Sequence, residues 1–140
     1  MQVPGHRRKK HKIATPWASG KYDGTMRIVL GAFKIIEERM KMNPVQVFVK
    51  AIENAAPRDE ITVIEYGGAR YPQAVDVAPA RRVCLALRHF VHGAYDKSFG
   101  KTKKIHETLA DEIIKAYENN QESYAIQRKN EGERSADGAR

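Results

Sequence analysis

The sequence predicts a mainly α protein: a bundle of about five helices with one protruding β-hairpin, preceded by a basic N-terminal arm. Three observations carry this reading. Apolar residues recur at helical spacing in four separate stretches. Two short runs rich in β-branched and aromatic residues flank Gly67-Gly68. The first 22 residues hold Arg7, Arg8, Lys9, Lys10, Lys12 and Lys21 and no acid. At 140 residues one folded domain is expected, over residues 23–140, after an extended arm over residues 1–22.

Pro4, Gly5, Pro16 and Gly20 break any helix in the arm. A block of one sign repels itself and orders on a surface of the other sign, so the arm is expected to meet a phosphate backbone. Trp17, the only tryptophan, is suited either to stacking on a base or to the core. From Thr25 to Met42 the period is helical, with Ile28, Ala32, Ile35, Ile36 and Met40 on one stripe and Asp23 or Thr25 as cap. Asn43-Pro44 reads as the cap and first-turn proline of the next helix, in which Val45, Phe48, Ile52 and Ala55 repeat. Pro57 ends it.

Residues 61–66 and 71–77 read as the two strands, near 61–77 as a whole, with Gly67 and Gly68 supplying the positive φ angles of a tight turn. Pro72 restricts its strand to an edge or a bulge. A lone hairpin is marginal, so its base must pack on helices while its tip projects. Pro79 opens a helix to about Tyr95 with Val83, Leu87, Phe90 and Ala94 as its buried stripe, and Cys84 in that run reads as a buried structural thiol. Arg81 and Arg82 in its first turn oppose the helix dipole, a cost that a bound anion would offset. The loop SFGKTKK is basic but lacks the spacing of a phosphate-binding P-loop. Ile105, Leu109, Ile113, Ala116 and Tyr117 make a further helix ending near Asn119-Asn120. Ser123 is a candidate cap for a last, weakly helical segment containing Gly132 and Gly138.

A net charge of +8 points to a polyanionic partner. No run approaches the roughly 18 apolar residues of a membrane span, so no membrane partner is expected. A lone cysteine excludes an internal disulfide and fits a reducing compartment. His89 and His92 lie three apart on a helix, but no further residues follow at zinc-ligand spacing. His106, Glu107 and Asp111 have Lys103, Lys104 and Lys115 within helical reach, which ordinary surface ion pairing explains. No nucleophile, base and orienting group assemble from neighbouring motifs. The expectation is a protein that is not an enzyme, with no cofactor, no metal and no small-molecule substrate.

Between nucleic acids, RNA is favoured. A helix-turn-helix needs a recognition helix with base-reading side chains, and the helix after Asn43-Pro44 offers only Gln46, Lys50 and Glu53. A helical platform with a projecting hairpin, a basic arm and arginines at a helix start suits the shape and backbone of structured RNA. The expected contacts are Arg7, Arg8, Lys9, Lys10, Lys12, Arg58, Gly67, Gly68, Arg70, Arg81, Arg82, Arg88, Lys101, Lys103, Lys104, Arg128 and Lys129.

From about Met26 to Arg140 the chain resembles the small-subunit ribosomal protein seven family. The segments that carry this are NPVQVFVKAIENAAPR from Asn43, GGARYPQAVDVAPARR from Gly67, and LADEIIKAYENN followed by SYAIQRKNEGER. The last looks like the archaeal and eukaryotic branch. The resemblance implies a mainly helical fold with one hairpin, binding to the 3′ major domain of small-subunit ribosomal RNA, and nucleation of head assembly. It implies neighbouring head proteins as partners, a hairpin near the exit-site tRNA and the mRNA path, and a cytoplasmic location in the small subunit. Gly67, Gly68, Arg81, Arg82, Arg58, Arg128 and Lys129 match the family's turn glycines and basic positions. Against the family pattern, the chain is expected to be short at its N-terminus, and its arm is longer and more basic. Gly132 and Ser135 stand where apolar residues would help the last helix pack, and Ile64-Glu65 replace the hairpin arginines of bacterial relatives. The competing reading is a free-standing RNA-binding regulator or RNA chaperone.

Overall fold

The computed structural model describes residues 21–139. Arg7, Arg8, Lys9, Lys10, Lys12 and Trp17 lie outside the described residues. Along the chain come α1 (Tyr22–Met40), α2 (Pro44–Ala55), β1 (Asp59–Tyr66), β2 (Ala69–Asp76), α3 (Pro79–Ser98), α4 (Ile105–Tyr117) and α5 (Tyr124–Gly138). The architecture is the expected one, helices around a core with a single antiparallel hairpin.

The central helix is α4, which packs against the other four. Its Ala110, Ile113 and Ala116 meet Ala32 and Ile36 of α1, Val47, Ala51 and Ala55 of α2, Ala86 and Phe90 of α3, and Ala125 and Ile126 of α5. Alanine predominates in that core, and small side chains at helix crossings let the axes approach closely. Phe33 and Phe48 close the α1–α2 side with ring centroids 5.4 Å apart.

Local chemistry sets most boundaries. Asn43 caps α2 as expected, its Oδ1 accepting from Val45 N–H at 3.0 Å, with Pro44 at the first position. Neither Asp23 nor Thr25 caps α1, which starts earlier than expected; Thr25 Oγ1 instead donates back to Lys21 O and Tyr22 O within the helix. In α2 the buried stripe is Val47, Ala51 and Ala55, and Val45 is exposed. In α3 the buried residues are Ala86, Phe90, Gly93 and Ala94, while Val83, Leu87 and Cys84 are exposed. Phe90 and Ala94 are thus buried as expected, but the packed face continues through Ala86 and Gly93, small enough for α4 and α5 to approach, and not through Val83 and Leu87. The buried-thiol reading of Cys84 is corrected for the same reason.

The last segment is helical as far as Gly138, more regularly than its glycines suggest. Ser123 occupies the cap position but its side chain does not cap. Glu112 of α4 does so from outside: its Oε2 accepts from Tyr124 N–H at 3.0 Å and from Ser123 Oγ at 3.1 Å. Glu112 is fully buried, and Lys97 of α3 brings an ammonium against its other oxygen. A carboxylate at a helix N-terminus is favoured by the dipole as well as by the hydrogen bonds. Gly93 makes room for this arrangement, since a Cβ there would lie 2.7 Å from Tyr124 Cβ and 3.1 Å from Glu112 Cδ.

Gly67 and Gly68, at φ 58° and 79°, form the two-residue turn of the hairpin. The register is unbroken from Asp59↔Asp76 to Tyr66↔Ala69, so Pro72 sits without a bulge. Residues Ile61 to Gly68 are exposed, and only the root of the ribbon packs, mainly on α5.

Candidate nucleic-acid interface

The root of the hairpin gathers four basic residues from three parts of the chain. Arg58 follows α2, Arg81 and Arg82 open α3, and Lys129 comes from α5. Arg81 grips Glu60 of β1 through both ends of its fork, Nε to Oε1 at 2.8 Å and Nη2 to Oε2 at 2.8 Å. That carboxylate supplies the anion the sequence lacked in the first turn of α3, and it raises the Arg81 pKa above its usual value. Arg82 Nε donates to Pro57 O at 3.0 Å, and Lys129 Nζ donates to Asn54 O at 2.8 Å. Arg58 N–H donates to Glu133 Oε1 at 3.0 Å, and the residue is exposed. Arg81 therefore braces the ribbon itself, and Arg82 and Lys129 brace the chain that leads into it, while positive charge remains at the base: Arg58 and Arg81 are exposed and Arg82 and Lys129 half-buried.

A second cluster lies between α3 and α5. Arg128 stacks 5.3 Å above the Tyr124 ring, donates from Nε to its hydroxyl at 3.1 Å, and pairs with Glu131 at 2.7 Å. His89 meets the Tyr124 ring edge-on at 6.2 Å. Burial, then His92, Arg128 and Arg88, push the His89 pKa down to about 4, so it is neutral near neutral pH. Its Nδ1 is buried without a hydrogen-bond partner among the described residues. Arg88 is half-buried and Arg128 exposed beside it. Sequence reasoning did not single out Tyr124; the signal was there in its placement four residues before Arg128.

The expected residues do not all converge. Lys101, Lys103 and Lys104 are exposed in the α3–α4 loop, with Lys103 3.4 Å from Asp111. They sit past the far end of α3, a 20-residue helix about 30 Å long, from Arg81 and Arg82. Gly67, Gly68 and exposed Arg70 are at the ribbon's tip. Arg39 also pairs with Asp111 and Lys97 with Glu112, while Glu107 accepts from Lys104 N–H at 3.2 Å, so the acidic groups of α4 are engaged within the protein. Among the described residues no three His, Cys, Asp or Glu side chains converge as metal ligands, and no helix is long and apolar enough to cross a membrane. The arrangement suits phosphate and shape recognition at several separated points.

The sequence pattern of the family described as Ribosomal protein S7p/S5e matches residues 7–140. The chain is 55% identical over 140 residues to the small ribosomal subunit protein uS7 of Nanoarchaeum equitans, covering 100% of this chain and 71% of that protein. It is 48% identical over 124 residues to the protein of the same name from Picrophilus torridus, covering 89% of this chain and 66% of the relative. With that of Methanothermobacter thermautotrophicus the identity is 50% over 118 residues, 84% of this chain and 63% of the relative. The matches thus span about two thirds of the relatives' length.

Proposed function

Since the chain belongs to the ribosomal protein S7p/S5e family, we propose that it is a structural RNA-binding component of the small ribosomal subunit. Residues 1–22 act as the phosphate-seeking arm and residues 23–140 as one RNA-binding domain. Its target is the 3′ major domain of the small-subunit ribosomal RNA, on which it nucleates assembly of the head beside other head proteins. The tip of the hairpin lies near the exit-site tRNA and the mRNA path. The role is architectural and cytoplasmic, with no catalytic step. The observation that carries this reading is the family match across residues 7–140 of a chain with net charge +8. Basic side chains at the hairpin root, between α3 and α5 and in the α3–α4 loop support it, since structured RNA is held at several backbone points at once.

Sedimentation tests it. The protein should travel with small subunits through a sucrose gradient in high salt, at one copy per subunit. Recovery at the top of the gradient would make it a loose binder and overturn the assignment.

A further inference from the structure

The start of α1 stands outside the core. From Tyr22 to Leu30 no residue is buried, and the first buried side chain of the helix is Ala32. Lys21 at the cap position makes no side-chain cap, and Gly24 weakens the first turn. A helix end of that length gains little from propensity alone and needs a packed face. Its apolar residues are arranged as one. Tyr22, Met26, Leu30 and Phe33 follow at helical spacing and share a stripe. Tyr22 is 71%, Met26 37% and Leu30 58% exposed, while Phe33 is half-buried against Phe48 of α2. No charged residue interrupts the stripe; Asp23, Arg27 and Lys34 fall to its side.

The chain carries an occupant next to it. Between residues 13 and 17 the arm departs from its basic composition. Ile13-Ala14-Thr15-Pro16-Trp17 bears two large apolar side chains, one of them the only tryptophan, and no charge. This segment lies outside the described residues. Pro16 has a fixed φ and biases Thr15 toward extended backbone. Strand alternation then puts Ile13 and Trp17 on one side, about 13 Å apart. Met26 and Phe33 are about 10 Å apart along the helix axis. The chain from Trp17 to Tyr22 spans up to about 17 Å, and Gly20 within it permits a reversal. So short a tether gives the segment an effective concentration at the stripe that a free partner or a second copy does not match.

We propose that residues 13–17 fold back along the start of α1, with Trp17 seated over Tyr22 and Met26 and Ile13 over Leu30 and Phe33. The contact covers the exposed end of the helix and sets the point from which Arg7, Arg8, Lys9, Lys10 and Lys12 project. It needs no RNA, so it stands or falls apart from the ribosomal reading.

The sole tryptophan makes the test direct. In the free full chain, without RNA, Trp17 emission should be blue-shifted and acrylamide quenching severalfold weaker than in the same chain in denaturant. Met26→Lys with Leu30→Lys changes two exposed positions and leaves the core untouched. It should return emission and quenching toward the denatured values, while far-UV circular dichroism stays near that of the wild type. Val91→Lys, a matching change at an exposed position of α3, should leave Trp17 shielded. Conversely, Trp17→Ser should speed amide exchange from Met26 to Leu30 severalfold. A fully exposed Trp17 in the wild type overturns the proposal. So does shielding that survives Met26→Lys with Leu30→Lys, that is lost in Val91→Lys, that disappears on dilution as a contact between two copies would, or that arises only on adding single-stranded oligouridylate. Unchanged amide exchange in Trp17→Ser overturns it as well.

Discussion

Two side chains show how a single position controls the joint between α3, α4 and α5. Gly93 is buried where a methyl group would meet Tyr124 Cβ at 2.7 Å. Gly93→Ala should therefore lower stability by about 1–3 kcal/mol, the usual range for overpacking. The change should register in a denaturant midpoint, and an unaltered midpoint would mean α5 yields without strain. His89 acts through protons. Its folded pKa, about 4, is below the ordinary 6.5, so the unfolded chain takes up the proton first as pH falls. The stability this neutral ring confers is fully present above about pH 6.5 and is lost progressively toward about pH 4. Melting temperatures across that window should fall more steeply for the wild type than for His89→Gln. Neither effect was legible in the sequence. Gly93 looks like any helical glycine until α5 is laid across it, and His89 looks like a solvent or phosphate contact until Tyr124 covers it.

Among the elements, the hairpin and the start of α3 form one unit. Arg81 and Arg82 were expected to await an outside anion; Glu60 and Pro57 O already hold them. Arg81→Ala alone should loosen the hairpin root, seen as faster amide exchange at Asp59 and Glu60. Its cost in global stability should stay within about 1 kcal/mol, since the pair is largely exposed. The double change Arg81→Ala with Arg82→Ala should weaken RNA binding as well, and intact exchange protection with lost RNA binding would restore the purely RNA-facing role. Turns and caps with their own local chemistry were readable: Asn43-Pro44, Gly67-Gly68 and the Ile36 stripe of α1 stand where the sequence put them. Features set by a distant partner were not. On α3 the expected Phe90 and Ala94 are buried, but only packing selects Ala86 and Gly93 over Val83 and Leu87 to complete that face. The cap of α5 comes from Glu112, in another helix, and no local pattern announces it.

For the whole molecule, charge is unevenly divided: the first 22 residues carry six basic residues and the hairpin is acidic. Affinity for structured RNA should fall steeply with salt, each neutralised phosphate adding roughly 0.7–0.9 to the log–log slope. Removing residues 1–12 should lower that slope by several units in filter binding, and an unchanged slope would mean the arm does not touch RNA. The Glu112 carboxylate has a further consequence, for the order in which a growing polypeptide becomes complete. The ribbon lies mid-sequence and leaves the synthesis machinery early, and Arg81 of α3 soon holds its Glu60, yet Glu133 on Arg58 N–H and Lys129 on Asn54 O, which tie its root and the end of α2, are both borne by α5. Those ties wait for α5, whose first turn is received by Glu112 of the α4 made before it. The root of the ribbon is thus made early and fully fastened only when the final stretch of the chain has been added.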